Sequence, residues 1–357
     1  MAAATRRPLD AVVTAVAHPP AGRGTTLTVL GLAALLAALG VLHLFVGTAS
    51  IAPADVVDAL LGRGEGTPHR IVVDLRAPRT LIAVVAGAML GLAGAILQAT
   101  TRNDLAEPGL LGVTAGGVLA VVAATTATSG QLPRTLLPVV ALGGSALAAA
   151  TVYAVGWRRR VASPLTLILS GVLLGAVLAA VTSLLLLGAG EPLGGVMRWL
   201  VGSLHARTWA DWHLLWPAAV LVLPAGLASA RVAGLLALAD PVPHALGLDV
   251  ARARLVLFGL AAATTGAAVA VVGAIGFVGL VGPHMARRLV GDDARRLFPV
   301  AMLASALVLV TADVIATGLT IRVPMGGVSQ RAALPVGAVT AVVGAPVLLA
   351  LLRRSSR

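Results

Sequence analysis

Seven long stretches of this chain carry almost no charge, with arginine clusters between them, and that pattern leaves the polypeptide no water-soluble fold. With 58% hydrophobic residues, 11% charged residues and a mean hydropathy of +0.98, it has too few polar side chains to wrap a single core. Most of its surface must therefore face lipid. A helical span needs ~20 apolar residues, so 357 residues hold about ten spans joined by short connections. Runs such as Val29–Val46 and Leu255–Val272 are apolar on every face, which excludes the alternating segments of a transmembrane β-barrel. The 41 glycines suit helices that touch without lipid between them. The expected fold class is all-α, a polytopic transmembrane helical bundle.

Spans are expected near 26–46, 78–98, 108–126, 135–156, 166–188, 212–230, 254–273, 276–290 (a short one), 297–317 and 334–352. Residues 1–25 read as a disordered tail, 26–352 as the membrane domain and 353–357 as a second tail. Ten spans put both termini on one side. Seventeen of the 26 basic residues fall on that side, so the positive-inside rule predicts cytoplasmic termini. On the opposite side, the amphipathic stretch Pro53–Leu61, with Asp55 and Asp58 near its start, is expected to lie along the membrane surface.

Several chemistries are excluded at once. Without cysteine there is no disulfide, thiolate metal site or cysteine nucleophile. All 26 basic residues are arginine, and the absence of lysine removes the phosphate-gripping residue of a nucleotide-binding loop, so the chain does not hydrolyse ATP itself. The net charge of +12 comes from arginines dispersed over inter-span loops, an orientation signal rather than a nucleic-acid surface. No GxSG, HExxH or paired intramembrane acids occur to support an intramembrane enzyme. A secondary transporter would want inverted repeats and a midplane ion site, and no clear repeat is present. No cofactor is expected.

Four segments carry a resemblance: Leu75-Arg-Ala-Pro-Arg-Thr80; Gly94-Ala-Ile-Leu-Gln98 continuing through Asn103 to Val113; Gly273 through Pro283 and His284; and Leu334-Pro-Val-Gly-Ala-Val-Thr340 through Gly344-Ala-Pro346. In this order they resemble the FecCD-type permeases of binding-protein-dependent ABC importers, which carry ferric siderophores, haem or cobalamin across the inner membrane. The resemblance implies an ABC ATPase in two copies, an extracytoplasmic binding protein, and a homodimer or a pairing with a homologous permease. Ferric siderophore is the commonest cargo of that family.

The same segments have physical readings. Asn103 to Pro108 interrupts an apolar stretch with Asp104, Glu107 and Pro108, so the helix must break there; the resemblance places Gln98, Asn103, Leu105 and Pro108 beside the translocation pathway. Four glycines in Gly273–Pro283 predict a short or broken span. Arg76 and Arg79 share a helical face at the mouth of the second span; they either snorkel at the interface or, by resemblance, grip acidic residues of the binding protein. Arg322 and Arg331, in the long loop Thr320–Ala332 with Gly326 and Gly327, are expected to shape the same contact.

Leu235 to Val250 resembles the coupling segment that docks on the ATPase, with Leu238, Asp240, His244, Ala245, Leu246, Gly247 and Leu248 as contacts and a helix beginning near Pro243; the alternative is an inert loop. Ala162-Ser163-Pro164-Leu165 matches the family's cytoplasmic gate in position. Among ionisable residues in spans, His43 reads as neutral packing rather than a metal ligand, Asp313 as a partner for Arg322, and His284 as a structural hydrogen-bonding residue.

Overall fold

A computed structural model describes residues 23–158, 164–188, 200–238, 241–325 and 328–355. Among them the chain forms α1 (Arg23–Phe45), α2 (Pro53–Leu60), α3 (Ala77–Thr101), α4 (Val113–Ala127), α5 (Leu137–Arg158) and α6 (Pro164–Gly188). These are followed by α7 (Trp209–Ala228), α8 (Ala230–Ala237), α9 (Pro241–Ala245), α10 (Val250–Val272), α11 (Val278–Val290), α12 (Ala294–Gly318) and α13 (Val336–Ser355). Seven of the helices are long and apolar enough to cross a membrane; α4 is a shorter apolar piece, and α4, α11 and α13 stand in the positions expected of the remaining spans. The last helix runs through Ser355, into the stretch expected to be a tail. Residues 1–22 of the expected first tail and the gate residue Ser163 lie outside the described residues, as do Asp240, Gly326 and Gly327, while residues 23–25 already belong to α1.

The helix starts are written locally. Asp249 and Asp293 each accept a backbone N–H of the following first turn, from Arg252 at 3.0 Å and Arg295 at 3.1 Å, and so begin α10 and α12. Thr208 and Asp211 form a reciprocal capping box at the head of α7. A π-helical turn, Ile71–Arg76, feeds α3 and widens the helix just before Pro78, whose ring cannot join a regular ladder.

The second span, α3, is the axis of the bundle. It packs on α12, α10, α11, α7 and α8 and is mostly buried, whereas α1 and α6 are mostly exposed. Close approach explains how an apolar helix can be surrounded by other helices rather than lipid. A side chain at Gly91 would lie 2.6 Å from the Ala301 carbonyl of α12, and one at Gly94 would overlap the backbone of Gly279 in α11. Leu173, Val177 and Leu184 of α6 and Leu27, Leu30 and Leu35 of α1 remain exposed, as lipid-facing positions should.

One expectation changes and one element forms where it was expected. The long loop between the last two spans is an antiparallel hairpin, β1 (Thr320–Met325) with β2 (Val328–Ala333), in a register that sets Arg322 opposite Arg331. The amphipathic helix Pro53–Leu60 does form, yet its buried face, Val56 and Ala59, packs on Val72, Phe45 and Ile51 of the same chain.

Candidate functional site

At the end of the bundle that carries the hairpin, α1, α3 and α12 are joined by a buried polar cluster. The Arg79 guanidinium donates from Nε to Asp313 Oδ2 and from Nη2 to Asp313 Oδ1, both at 2.7 Å, a bidentate pair, and Nη2 also reaches Thr317 Oγ1 at 2.7 Å. His43 Nε2 lies 2.8 Å from Asp313 Oδ2, and its Nδ1 lies 2.6 Å from Thr80 Oγ1. Asp313 is 1% exposed and His43 3%. An aspartate so enclosed between membrane helices is tolerable only as a charge paired and bonded on both oxygens, and this one is.

Arg76 has a different task. Its Nη1 donates to the carbonyls of Leu44 at 2.8 Å and Phe45 at 3.2 Å, and its Nη2 to Ala49 at 2.7 Å. These are carbonyls at and just beyond the end of α1, which no further helical turn could satisfy, so Arg76 caps that helix with a cation at its negative pole. Arg76 and Arg79, expected either to snorkel at the interface or to grip acidic residues of a binding protein, both bond within the chain, Arg76 to the carbonyls that end α1 and Arg79 to Asp313. Asp313, expected to pair with Arg322, is bonded by Arg79 and His43.

At the opposite, arginine-rich end, α3 stops at Arg102 and the chain makes a tight turn. Asn103 Oδ1 accepts from Leu105 N at 2.9 Å, its carbonyl accepts from Ala106 N at 3.0 Å, and Gln98 Nε2 donates to the Ala106 carbonyl at 3.4 Å. Arg287 of α11 holds this turn from the side, donating to Gln98 Oε1 at 3.2 Å and lying 3.3 Å from Asp104 and 2.7 Å from Asp292. Glu107 accepts from the N–H of Phe277, the residue that begins α11 after the break at Gly273–Gly276. Burial raises the Glu107 carboxyl above its ordinary range, and the Phe277 bond opposes that rise. Pro108 packs against Gly279, where any side chain would lie 2.7 Å from the proline ring.

Gln98, Asn103, Leu105 and Pro108, expected beside the pathway, thus belong to one turn that meets the interrupted span. The short helix Pro108–Leu111 also packs against α6, the helix that opens with Pro164 and Leu165. Glu107 escaped notice as anything beyond a helix breaker, although an acid in an apolar context was the available signal.

The segment expected to couple to an ATPase begins with α8 and turns outward. The short helix starts at Pro241, two residues before the expected point. His244, Ala245, Leu246 and Gly247 are all exposed, Leu246 at 59% and Leu238 at 39%, so the segment presents apolar side chains to solvent at the polar end of the protein. Gly247 has φ +78° with no neighbour near its missing side chain. Glycine is therefore required there by the local turn rather than by a close approach within the chain.

The profile of the FecCD transport family matches residues 35–354. The chain belongs to that family. As a FecCD protein it is a transport subunit of an ABC importer, a permease, and not an enzyme. It is 36% identical over 331 residues, 93% of this chain and 96% of the relative, to the Fe(3+)-citrate import system permease of Bacillus subtilis (strain 168). To the ferric enterobactin transport system permease of Escherichia coli (strain K12) it is 39% identical over 339 residues, 93% of this chain and 96% of that protein. To the cobalamin import system permease of Halobacterium salinarum it is 39% identical over 290 residues, 80% of this chain and 74% of the relative. A solved metal-chelate type ABC transporter in an inward-facing conformation superposes with a TM-score of 0.78 at 28% identity, covering 92% of this chain and 99% of that one.

Proposed function

We propose that this permease moves a ferric chelate, of the citrate or siderophore kind, across the cytoplasmic membrane. Two permease copies, or this chain with a homologous permease, enclose the pathway. Two separate ATPase subunits dock on the arginine-rich, cytoplasmic end through Leu238–Leu248. An extracytoplasmic binding protein delivers the chelate to the opposite end, where Arg322 and Arg331 of the hairpin meet acidic residues of its lobes. ATP closes the ATPase pair, and its differential affinity for one permease conformation drives alternating access.

The observation that carries the reading is the exposed apolar coupling segment at one end of a bundle whose axial helix ends in the turn bonded to the broken span, in a chain of this family. Cobalamin is the second reading, supported by the likeness to cobalamin permeases. The test is uptake by proteoliposomes holding permease, ATPase and binding protein, offered ferric citrate, a ferric catecholate siderophore and cobalamin in turn. Accumulation of an iron chelate supports the proposal, and accumulation of cobalamin alone overturns it.

A further inference from the structure

Arg102 closes α3 in the left-handed region, at φ 52° and ψ 38°, a conformation that glycine adopts freely and arginine does not. Its backbone N–H bonds back to the Gln98 carbonyl, as a helix terminus of this kind requires. Its side chain then does something a glycine could not. Nε donates at 2.9 Å to the carbonyl of Leu236, in the last turn of α8, immediately before the exposed coupling segment begins at Leu238. That carbonyl is among those that no residue of α8 can satisfy, and a cation is favoured at that pole.

On its other side Arg102 is bonded through the chain to the turn Asn103–Glu107. Internal hydrogen bonds stiffen this turn, Arg287 braces it, and Glu107 attaches it to Phe277 at the head of α11. A continuous string of bonds therefore runs from Leu236 through Arg102 and Asn103 to Glu107 and the broken span.

We infer that Arg102 is the positioning residue that passes displacement of the α8–α9 segment to the Asn103–Pro108 turn. The inference rests on the reading of Leu238–Leu248 as the ATPase contact. Arg102 itself touches neither nucleotide nor cargo; it fixes the distance between the element that is pushed and the element that must move.

The test uses the complete transporter in nanodiscs and proteoliposomes, with variants Arg102→Gly, Arg102→Gln and Arg102→Lys, and with Leu246→Asp as a separate probe of docking. Three quantities are read: ATPase retention on the permease, ATP hydrolysis, and cargo accumulated per ATP hydrolysed. Relief of the left-handed backbone offsets the lost side-chain bond, so Arg102→Gly should fold about as stably as the parent. It should keep the ATPase bound and hydrolysing, while cargo per ATP falls about tenfold, the scale set by losing one charge-assisted hydrogen bond. Arg102→Gln should behave likewise, and Arg102→Lys, which can still donate to Leu236, should recover most of the coupling.

Unchanged cargo per ATP in both the glycine and glutamine variants overturns the inference and leaves Arg102 a simple helix cap. Loss of ATPase binding in those variants also overturns it, by making Arg102 a docking residue. Leu246→Asp separates the underlying reading. If that variant retains the ATPase, the coupling segment lies elsewhere, whatever Arg102 does.

Discussion

Replacing Asp313 with asparagine keeps the shape of the buried cluster and removes its only negative charge. Arg79 then loses the counter-charge that makes its burial tolerable, since Asp313 is 1% exposed and Arg79 14%. Breaking one side of a buried, bidentate ion pair costs about 3–5 kcal/mol, most of it the penalty of the stranded charge. In a protein of this size that loss corresponds to a fall in Tm of about 4–7 °C. The double variant Arg79→Met with Asp313→Leu discards both charges together and should recover most of the loss. What remains is the acceptor missing from His43, about 1–3 kcal/mol. Thermal unfolding of the detergent-solubilised permease, followed for Arg79→Met, Asp313→Leu and the double, gives the coupling directly. A Tm within ~1 °C of the parent for Asp313→Asn, or single-variant losses that simply add in the double, would refute the reasoning.

Three further outcomes follow from the same geometry. Glu107→Gln keeps an acceptor for the Phe277 N–H while shedding a buried charge, so its Tm should match or exceed the parent; Glu107→Ala strands that N–H and should lose about 1–3 kcal/mol in the same melt. Gly91→Leu drives a side chain into the Ala301 carbonyl and Ser305, so folded yield in membranes should drop sharply, while Gly259→Leu, which meets no neighbour, should not change it. Arg322→Glu with Arg331→Glu should weaken binding-protein association most at low salt, and an affinity unchanged across salt concentrations would remove the hairpin from that interface.

Much of the architecture was visible in the amino-acid order because lipid imposes one rule on every span: an apolar run of sufficient length must be helical. That rule located ten segments and the interruption at Gly273–Pro283, where glycines and a proline made a regular span untenable. It says nothing about which faces meet. His43 and Asp313 were both conspicuous as ionisable residues in apolar surroundings, yet they lie 270 positions apart, and only packing reveals that they share a bond. Arg76 and Arg79 looked like a docking pair because helical spacing puts them on adjacent positions of one face. In the fold, three residues of separation is enough for one to cap α1 and the other to pair with α12. The hairpin was hidden by its two glycines and its length, which read as loop. Gly247 was expected as an ATPase contact, and the sequence alone did not show the positive backbone angle that also makes the turn favour glycine there.

The most direct test of the account is ATP dependence. The permease alone in proteoliposomes should hydrolyse no ATP and accumulate no ferric chelate. Addition of its ATPase to the cytoplasmic face and its binding protein to the other should produce accumulation that needs ATP and stops with a non-hydrolysable analogue. Robust hydrolysis by the isolated chain, or chelate accumulation driven by an ion gradient without nucleotide, would contradict it.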